Sequence, residues 1–246
     1  VWADLNGEIV PLAQVHLVLT DSNGTQLQVF DTLEDGQYRF DKLLPGDYYI
    51  AVTLPEGYLA VEPGDARLAD GSQVSILAQT NGRAGQSDTI TLRMAEDQLS
   101  LDIGGVQPGS LGDLAWLDLD GDGWYDSAEP GLPGVTLRLI RNGETVAETT
   151  TDAYGYYTFD NLYPSTYSLE VTYPAEVQPT KPGTGLMTSL LPESEESVST
   201  IEDIQVKSNA ANRNADMGFI LREAGVYPAG IGDAPTQDWT KLTYGE

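Results

Sequence analysis

Val135, Leu137 and Leu139 alternate with Thr136 and Arg138, a period of two that predicts a half-buried β-strand. The same alternation runs through Val15-His16-Leu17-Val18-Leu19, through Tyr156 and Thr158, and through Tyr167, Leu169 and Val171. Asn23-Gly24 and Asn142-Gly143 lie between such runs. Each predicts a hairpin closed by a type I′ turn, which needs positive φ at both central residues. No stretch carries a helical period. Short strands punctuated by glycine and proline, about seven in every ~110 residues, predict an all-β chain of Greek-key sandwiches.

The pattern also repeats. Val1-Trp2-Ala3-Asp4-Leu5-Asn6-Gly7 matches Ala115-Trp116-Leu117-Asp118-Leu119-Asp120-Gly121. Val15–Leu19 matches Val135–Leu139, and Asp35-Gly36-Gln37-Tyr38-Arg39-Phe40 matches Tyr154-Gly155-Tyr156-Tyr157-Thr158-Phe159. Asp47–Val52 matches Thr166–Val171, and Asp102-Ile103-Gly104 matches Asp216-Met217-Gly218. Trp2 to Trp116 and Asp102 to Asp216 are both 114 positions apart, so a whole module is duplicated. Two tandem sandwiches over 1–107 and 108–223 are expected, with a linker or tail over 224–246. Gly104 through Gly109 forms the junction.

Charge narrows the function classes. With 38 acidic against 12 basic side chains, the chain carries a formal net charge of −26. A polyanion repels nucleic acid and anionic membrane surfaces and favours divalent cations. The sequence contains no cysteine, which excludes a disulfide framework and any thiolate site. Apolar content of 40%, with 13 Tyr and 4 Trp, suits a packed core rather than a disordered chain. No apolar run approaches a membrane span, so membrane insertion is not expected.

The acidic excess has a focus. Residues 118–129 read Asp-Leu-Asp-Gly-Asp-Gly-Trp-Tyr-Asp-Ser-Ala-Glu, the spacing of a twelve-residue calcium loop. Asp118, Asp120 and Asp122 take positions one, three and five, and Gly123 takes the sharp turn at six. Trp124 offers its backbone carbonyl at seven, Asp126 stands at nine, and Glu129 closes at twelve. Calcium wants six to eight hard oxygens, whereas magnesium keeps its waters. The competing reading is an acidic solvated loop. Strands flank it, so the helix-loop-helix context is missing. The first module keeps Asp4, Asn6 and Glu8 but lacks the residues for positions seven, nine and twelve, and a shortened turn without tight calcium binding is expected there.

These residues resemble the SdrD B-like family of calcium-binding modules from bacterial surface adhesins, related to Cna B-type domains. The second module carries the resemblance most fully. It has Leu111-Gly112-Asp113 with Trp116, the 118–129 loop, Gly131-Leu132-Pro133-Gly134-Val135, Thr151-Asp152 ahead of Gly155-Tyr156, and Asp216-Met217-Gly218-Phe219. The resemblance implies a prealbumin-like or immunoglobulin-like sandwich serving as a rigid spacer at a bacterial cell surface or in a secreted protein, stiffened by calcium. It also points to Asp113 or Asp152 as further calcium ligands. Related modules carry a Lys–Asn isopeptide bond, but no lysine precedes Lys42 and the second module has only Lys181 and Lys207. No such bond is expected.

Other residues have plainer readings. His16, the single histidine, sits in an alternating strand and reads as a strand residue. No nucleophile–base set or phosphate loop is present, and an enzyme is not expected. Trp124 and Tyr125 would cover the acidic loop, or would stack on sugar in a carbohydrate- or matrix-binding adhesin. Module one opens at Val1-Trp2 without a counterpart of Ser110-Leu111-Gly112-Asp113-Leu114, while Gly230-Ile231-Gly232-Asp233 resembles that piece. Two readings stand for this: the sequence is an excerpt of a longer multi-module chain, or the tail of one subunit completes the first sandwich of the next and builds a filament. Expected partners are accordingly neighbouring copies or modules, and an extracellular matrix or glycan ligand.

Overall fold

Branched and aromatic side chains at alternate positions place their apolar face inward, and the strands they form close two separate cores. The computed structural model describes residues 1–63, 65, 75–182, 188–192, 197–229 and 231. It divides into two units between Pro108 and Gly109. No helix occurs among the described residues.

The first unit contains β1 (Trp2–Leu5), β2 (Glu8–Pro11), β3 (His16–Asp21), β4 (Gln26–Asp31), β5 (Gly46–Thr53), β6 (Leu59–Ala60), β7 (Leu77–Asn81), β8 (Ala84–Ser87), β9 (Ile90–Leu92) and β10 (Gly104–Val106). One sheet runs β2-β1-β10-β6; the other runs β4-β3-β5-β8-β7, with β9 also paired to β5. Leu17 and Leu19 of β3 and Ile50 and Val52 of β5 point into a core shared with Ala3, Val15 and Ile103. His16 faces outward beside Asp31, 2.7 Å away on the exposed face.

The second unit contains β11 (Gly109–Leu117), β12 (Thr136–Arg141), β13 (Glu144–Thr150), β14 (Tyr156–Leu162), β15 (Ser165–Thr172), β16 (Val177–Pro179), β17 (Val198–Val206), β18 (Ala211–Asn212) and β19 (Met217–Leu221). Its sheets run β14-β11-β19-β16, with β18 also on β11, and β13-β12-β15-β17. Leu137, Leu139, Leu169 and Val171 meet Leu111, Leu117, Met217 and Phe219 in the core.

The repeat is legible in three dimensions. In each unit the first strand pairs in parallel with the last: Trp2 stands opposite Gly104, and Trp116 opposite Gly218. Both indoles are buried. A Cβ on Gly104 would lie 2.6 Å from the Trp2 ring, and one on Gly218 would lie 2.8 Å from the Trp116 ring. The Asp-x-Gly repeat therefore exists so that a tryptophan can lie flat on bare backbone. A buried threonine recurs as well. Thr32 accepts from Val15 N–H at 3.0 Å and donates to Leu12 C=O at 2.7 Å; Thr151 does the same with Val135 and Leu132 at 3.0 and 2.8 Å.

Two expectations fail in the first unit. Asn142 and Gly143 both have positive φ, 54° and 81°, the I′ turn predicted. At Asn23-Gly24 only Gly24 is positive, at 81°. There Asp21 accepts from the N–H groups of Asn23 and Thr25 at 2.9 and 2.8 Å, and Gly24 N–H bonds Asp21 C=O at 3.0 Å. The result is a longer loop whose single left-handed residue is the glycine, as in a type I turn with a bulge. The second failure is at residues 36–45, which form no strand, although they repeat the sequence around β14. In the second unit β14 pairs only with the first half of β11, from Gly109 to Leu114. No strand pairs with residues 36–45 among the described residues, and a segment with no strand to bond is not held extended.

Candidate metal centre

β11 ends at Leu117 and delivers Asp118 into the edge of the core, where only 2% of its surface remains exposed. Its Oδ1 accepts from Gly121 N–H at 2.7 Å, and its Oδ2 accepts from Gly123 N–H at 2.9 Å and from the Thr180 hydroxyl at 2.5 Å. These bonds curl the chain, helped by φ of 71° at Gly121 and 84° at Gly123. A side chain at Gly123 would press on the Lys181 carbonyl, at 2.8 Å. The loop returns through Glu129, also buried, whose carboxylate accepts from Leu119 and Asp126 N–H groups at 2.8 and 3.1 Å. Leu117 N–H bonds Pro130 C=O at 2.9 Å and closes the base.

Asp118, Asp120 and Glu129 converge, each offering an oxygen within 4.8 Å of the others. Among the described residues no basic side chain forms an ion pair with any of the three. Burial, with the charges of Asp118 and Asp126 adding, pushes the Glu129 carboxyl up to about 7 against the pull of its two N–H donors. Three carboxyl groups, two of them buried, gathered without a counter-charge among the described residues are what a hard divalent cation would relieve. The donor set is all oxygen, which fits calcium and excludes soft-metal ligation.

The remaining predicted ligands are placed differently. Asp122 accepts from Trp124 N–H at 2.7 Å and Asp126 from Ala128 N–H at 2.6 Å, both on the exposed side of the loop. Trp124 bridges in antiparallel fashion to Thr188, and Ser189 N–H bonds Gly123 C=O at 3.3 Å. The Trp124 ring is 50% exposed; it is Tyr125 that packs inward, edge-on to Trp116 at 5.8 Å. Neither Asp113 nor Asp152 joins the cluster. Asp113 is half-buried, with its carboxyl raised by burial and partly lowered by Arg213, and Asp152 caps the turn at Tyr154 and Tyr156.

Spacing did not reveal Thr180 or the 188–189 segment, which clamp the loop from more than fifty residues away. The first unit holds the same corner in reduced form. Asp4 is buried like Asp118 and accepts from Gly7 N–H at 2.6 Å. Asn6 and Gly7, with φ of 60° and 94°, then turn straight into β2, leaving Glu8 exposed. That two-residue hairpin offers one buried carboxylate where the second unit offers two.

Comparison with known proteins places both units together. The family model for the SdrD B-like domain matches residues 1–105 and 109–219. Serine-aspartate repeat-containing protein F of Staphylococcus epidermidis is 32% identical over 193 residues, covering 75% of this chain and 11% of that protein. Serine-aspartate repeat-containing protein D of Staphylococcus aureus strain Newman is 33% identical over 196 residues, 75% of this chain and 14% of that one. The chain thus spans a small part of these relatives. Among solved structures, the minor pilin GBS52 of Streptococcus agalactiae aligns over 90% of this chain and 89% of its own, at 15% identity and a TM-score of 0.32.

Proposed function

The chain belongs to the SdrD B-like domain family, and from this premise we propose that it is a non-enzymatic, extracellular structural module of a bacterial surface protein whose second unit is stiffened by calcium. One observation carries the metal: Asp118, Asp120 and Glu129 converge around a point that no basic side chain among the described residues neutralises. Asp118, Asp120 and Glu129 hold the ion, with Asp122, Asp126 and the Trp124 carbonyl completing a shell of the kind the loop spacing describes.

The stiffening follows from where these groups are rooted. Asp118 continues β11, Glu129 leads back to the core at Gly131 and Leu132, and Thr180 ties Asp118 to the strand end after β16. An ion shared by the first two fixes the loop's entry to its exit. Binding to the folded state alone adds stability by mass action, about 2.7 kcal/mol at a hundredfold excess over the dissociation constant.

Thermal unfolding in millimolar calcium and in excess chelator tests this, with Asp120→Ala as the exposed ligand variant. Calcium is expected to raise the second unit's transition alone, and Asp120→Ala to remove most of the rise. If neither transition moves with calcium, the acidic loop is only a solvated turn. A second reading, a glycan- or matrix-binding adhesin, is favoured by the exposure of Trp124, Tyr154 and Tyr156. A glycan array would show binding lost in Trp124→Ala, and an empty array sinks this reading.

A further inference from the structure

The chain carries Asn-Gly four times, at 6–7, 23–24, 81–82 and 142–143, and every pair is exposed at a turn. Such a pair is chemically labile wherever the glycine nitrogen can reach the asparagine side-chain carbonyl carbon, because glycine has no Cβ to obstruct the approach. What separates the four is the glycine N–H. Gly7 N–H is held by the Asp4 carboxylate at 2.6 Å, and Gly24 N–H by the Asp21 carbonyl at 3.0 Å. Among the described residues, the N–H groups of Gly82 and Gly143 have no such acceptor. The 82–83 turn is still pinned from outside: Gly82 C=O accepts from Ala60 N–H at 2.8 Å, and Arg83 C=O accepts from Leu54 N–H at 2.9 Å. Among the described residues the 142–143 turn has neither restraint.

Two of the turns isolate the cause. Asn6-Gly7 and Asn142-Gly143 both close two-residue hairpins, between Leu5 and Glu8 and between Arg141 and Glu144. Their φ values are 60° and 94° in the first and 54° and 81° in the second. The backbone is shared, and the carboxylate on the glycine N–H is the difference. An amide that donates to an anion gives up its proton reluctantly and is held in place by a strong bond. Both effects oppose its use as a nucleophile.

We propose that Asn142 is a site of spontaneous deamidation, and that Asp4 suppresses the same reaction at Asn6. The Gly143 nitrogen attacks Asn142 Cγ. The N–Cγ bond forms as the Cγ–Nδ2 bond breaks, and Nδ2 leaves as ammonia with the amide proton. Water then opens the five-membered imide. Opening on the side-chain side leaves aspartate; opening on the main-chain side leaves isoaspartate, with one extra carbon in the backbone. Either product adds a negative charge next to Arg141 at the tip of the β12–β13 hairpin, so the module records its age without an enzyme. The acidic loop is guarded as Asn6 is. Asp120-Gly121 and Asp122-Gly123 would close the same ring by losing water, but both glycine N–H groups bond Asp118, at 2.7 and 2.9 Å. This proposal is independent of the calcium reading.

Peptide mapping by mass spectrometry tests it, on the full chain kept folded in mildly alkaline buffer with chelator. Asn142 is expected to convert at least tenfold faster than Asn6, the factor to which one charge-assisted hydrogen bond corresponds. In denaturant, where no turn survives, the four asparagines are expected to convert at similar rates. Asp4→Asn, which keeps the shape and removes the anion, is expected to speed Asn6 and leave Asn142 unchanged. Asn142→Gln is expected to abolish most of the early ammonia release. Equal rates at Asn6 and Asn142 in the folded chain, or an Asn142 that converts only in denaturant, would overturn the proposal. So would a rate at Asn6 that Asp4→Asn does not move.

Discussion

The two units share a repeat, yet differ at the loop that follows their first strand. In the second, β11 runs nine residues, pairs with β14 through its first half, and hands a buried carboxylate to a twelve-residue acidic loop. In the first, β1 hands Asp4 to a two-residue turn. The interiors barely register the change: Trp2 and Trp116 lie on equivalent glycines, and Thr32 and Thr151, Tyr48 and Tyr167 bond to equivalent groups. Tyr48 donates to Leu44 C=O, and Tyr167 to Tyr163 C=O. A sandwich keeps its core through inward positions and connector-gripping side chains, and is free to vary its first loop.

Substitutions at paired positions can break that comparison. The largest effect is expected from Thr32→Val and Thr151→Val. Each strands a buried N–H and C=O, and each is expected to cost its own unit about 3 kcal/mol, read from amide exchange in the core strands. Loss in one unit and not the other would mean the shared interior is only apparent. Gly104→Ala and Gly218→Ala should follow at about 2 kcal/mol each, because a methyl group must displace a buried indole. Tryptophan emission shifting in step with the stability loss would check it.

The smallest effect sharpens the contrast. Asn142→Ala places a Cβ without a compensating side-chain bond at φ of 54° and is expected to cost about 1 kcal/mol. Asn23→Ala, at a residue whose φ is not positive, is expected to fall within about 0.5 kcal/mol. Equal losses in denaturant titrations of the two variants would contradict the different turns.

Sequence reading reached the alternating strands, the duplication and the acidic loop, because each is written in local spacing. Thr136 to Leu139 fall in β12, and Asp118, Asp120 and Glu129 did meet. What it missed depends on distant neighbours. Residues 37–43 carry the β14 pattern yet pair with no strand among the described residues. Asn23-Gly24 looks like Asn142-Gly143 until Asp21 captures the turn's amides. Thr180 and Ser189 reach the loop only because folding brings them there, and no periodicity announces a residue that clamps a loop 62 positions away.

The parallel pairing of β11 with β19 sets how the second unit meets mechanical load. Tension applied at the N-terminal end of β11 and the C-terminal end of β19 pulls two parallel strands past each other lengthwise. The bonds at Ala115–Met217, Trp116–Gly218 and Leu117–Phe219 are then sheared together instead of being peeled one at a time. Asp118 is the next residue along β11, and its N–H already grips Phe219 C=O at 2.7 Å. A cation seated on Asp118 would anchor the end of that clamp, so single-molecule pulling should find the second unit yielding at higher force in calcium than in chelator. For a protein displayed outside a cell, an ion held at that corner would then serve as its resistance to drag.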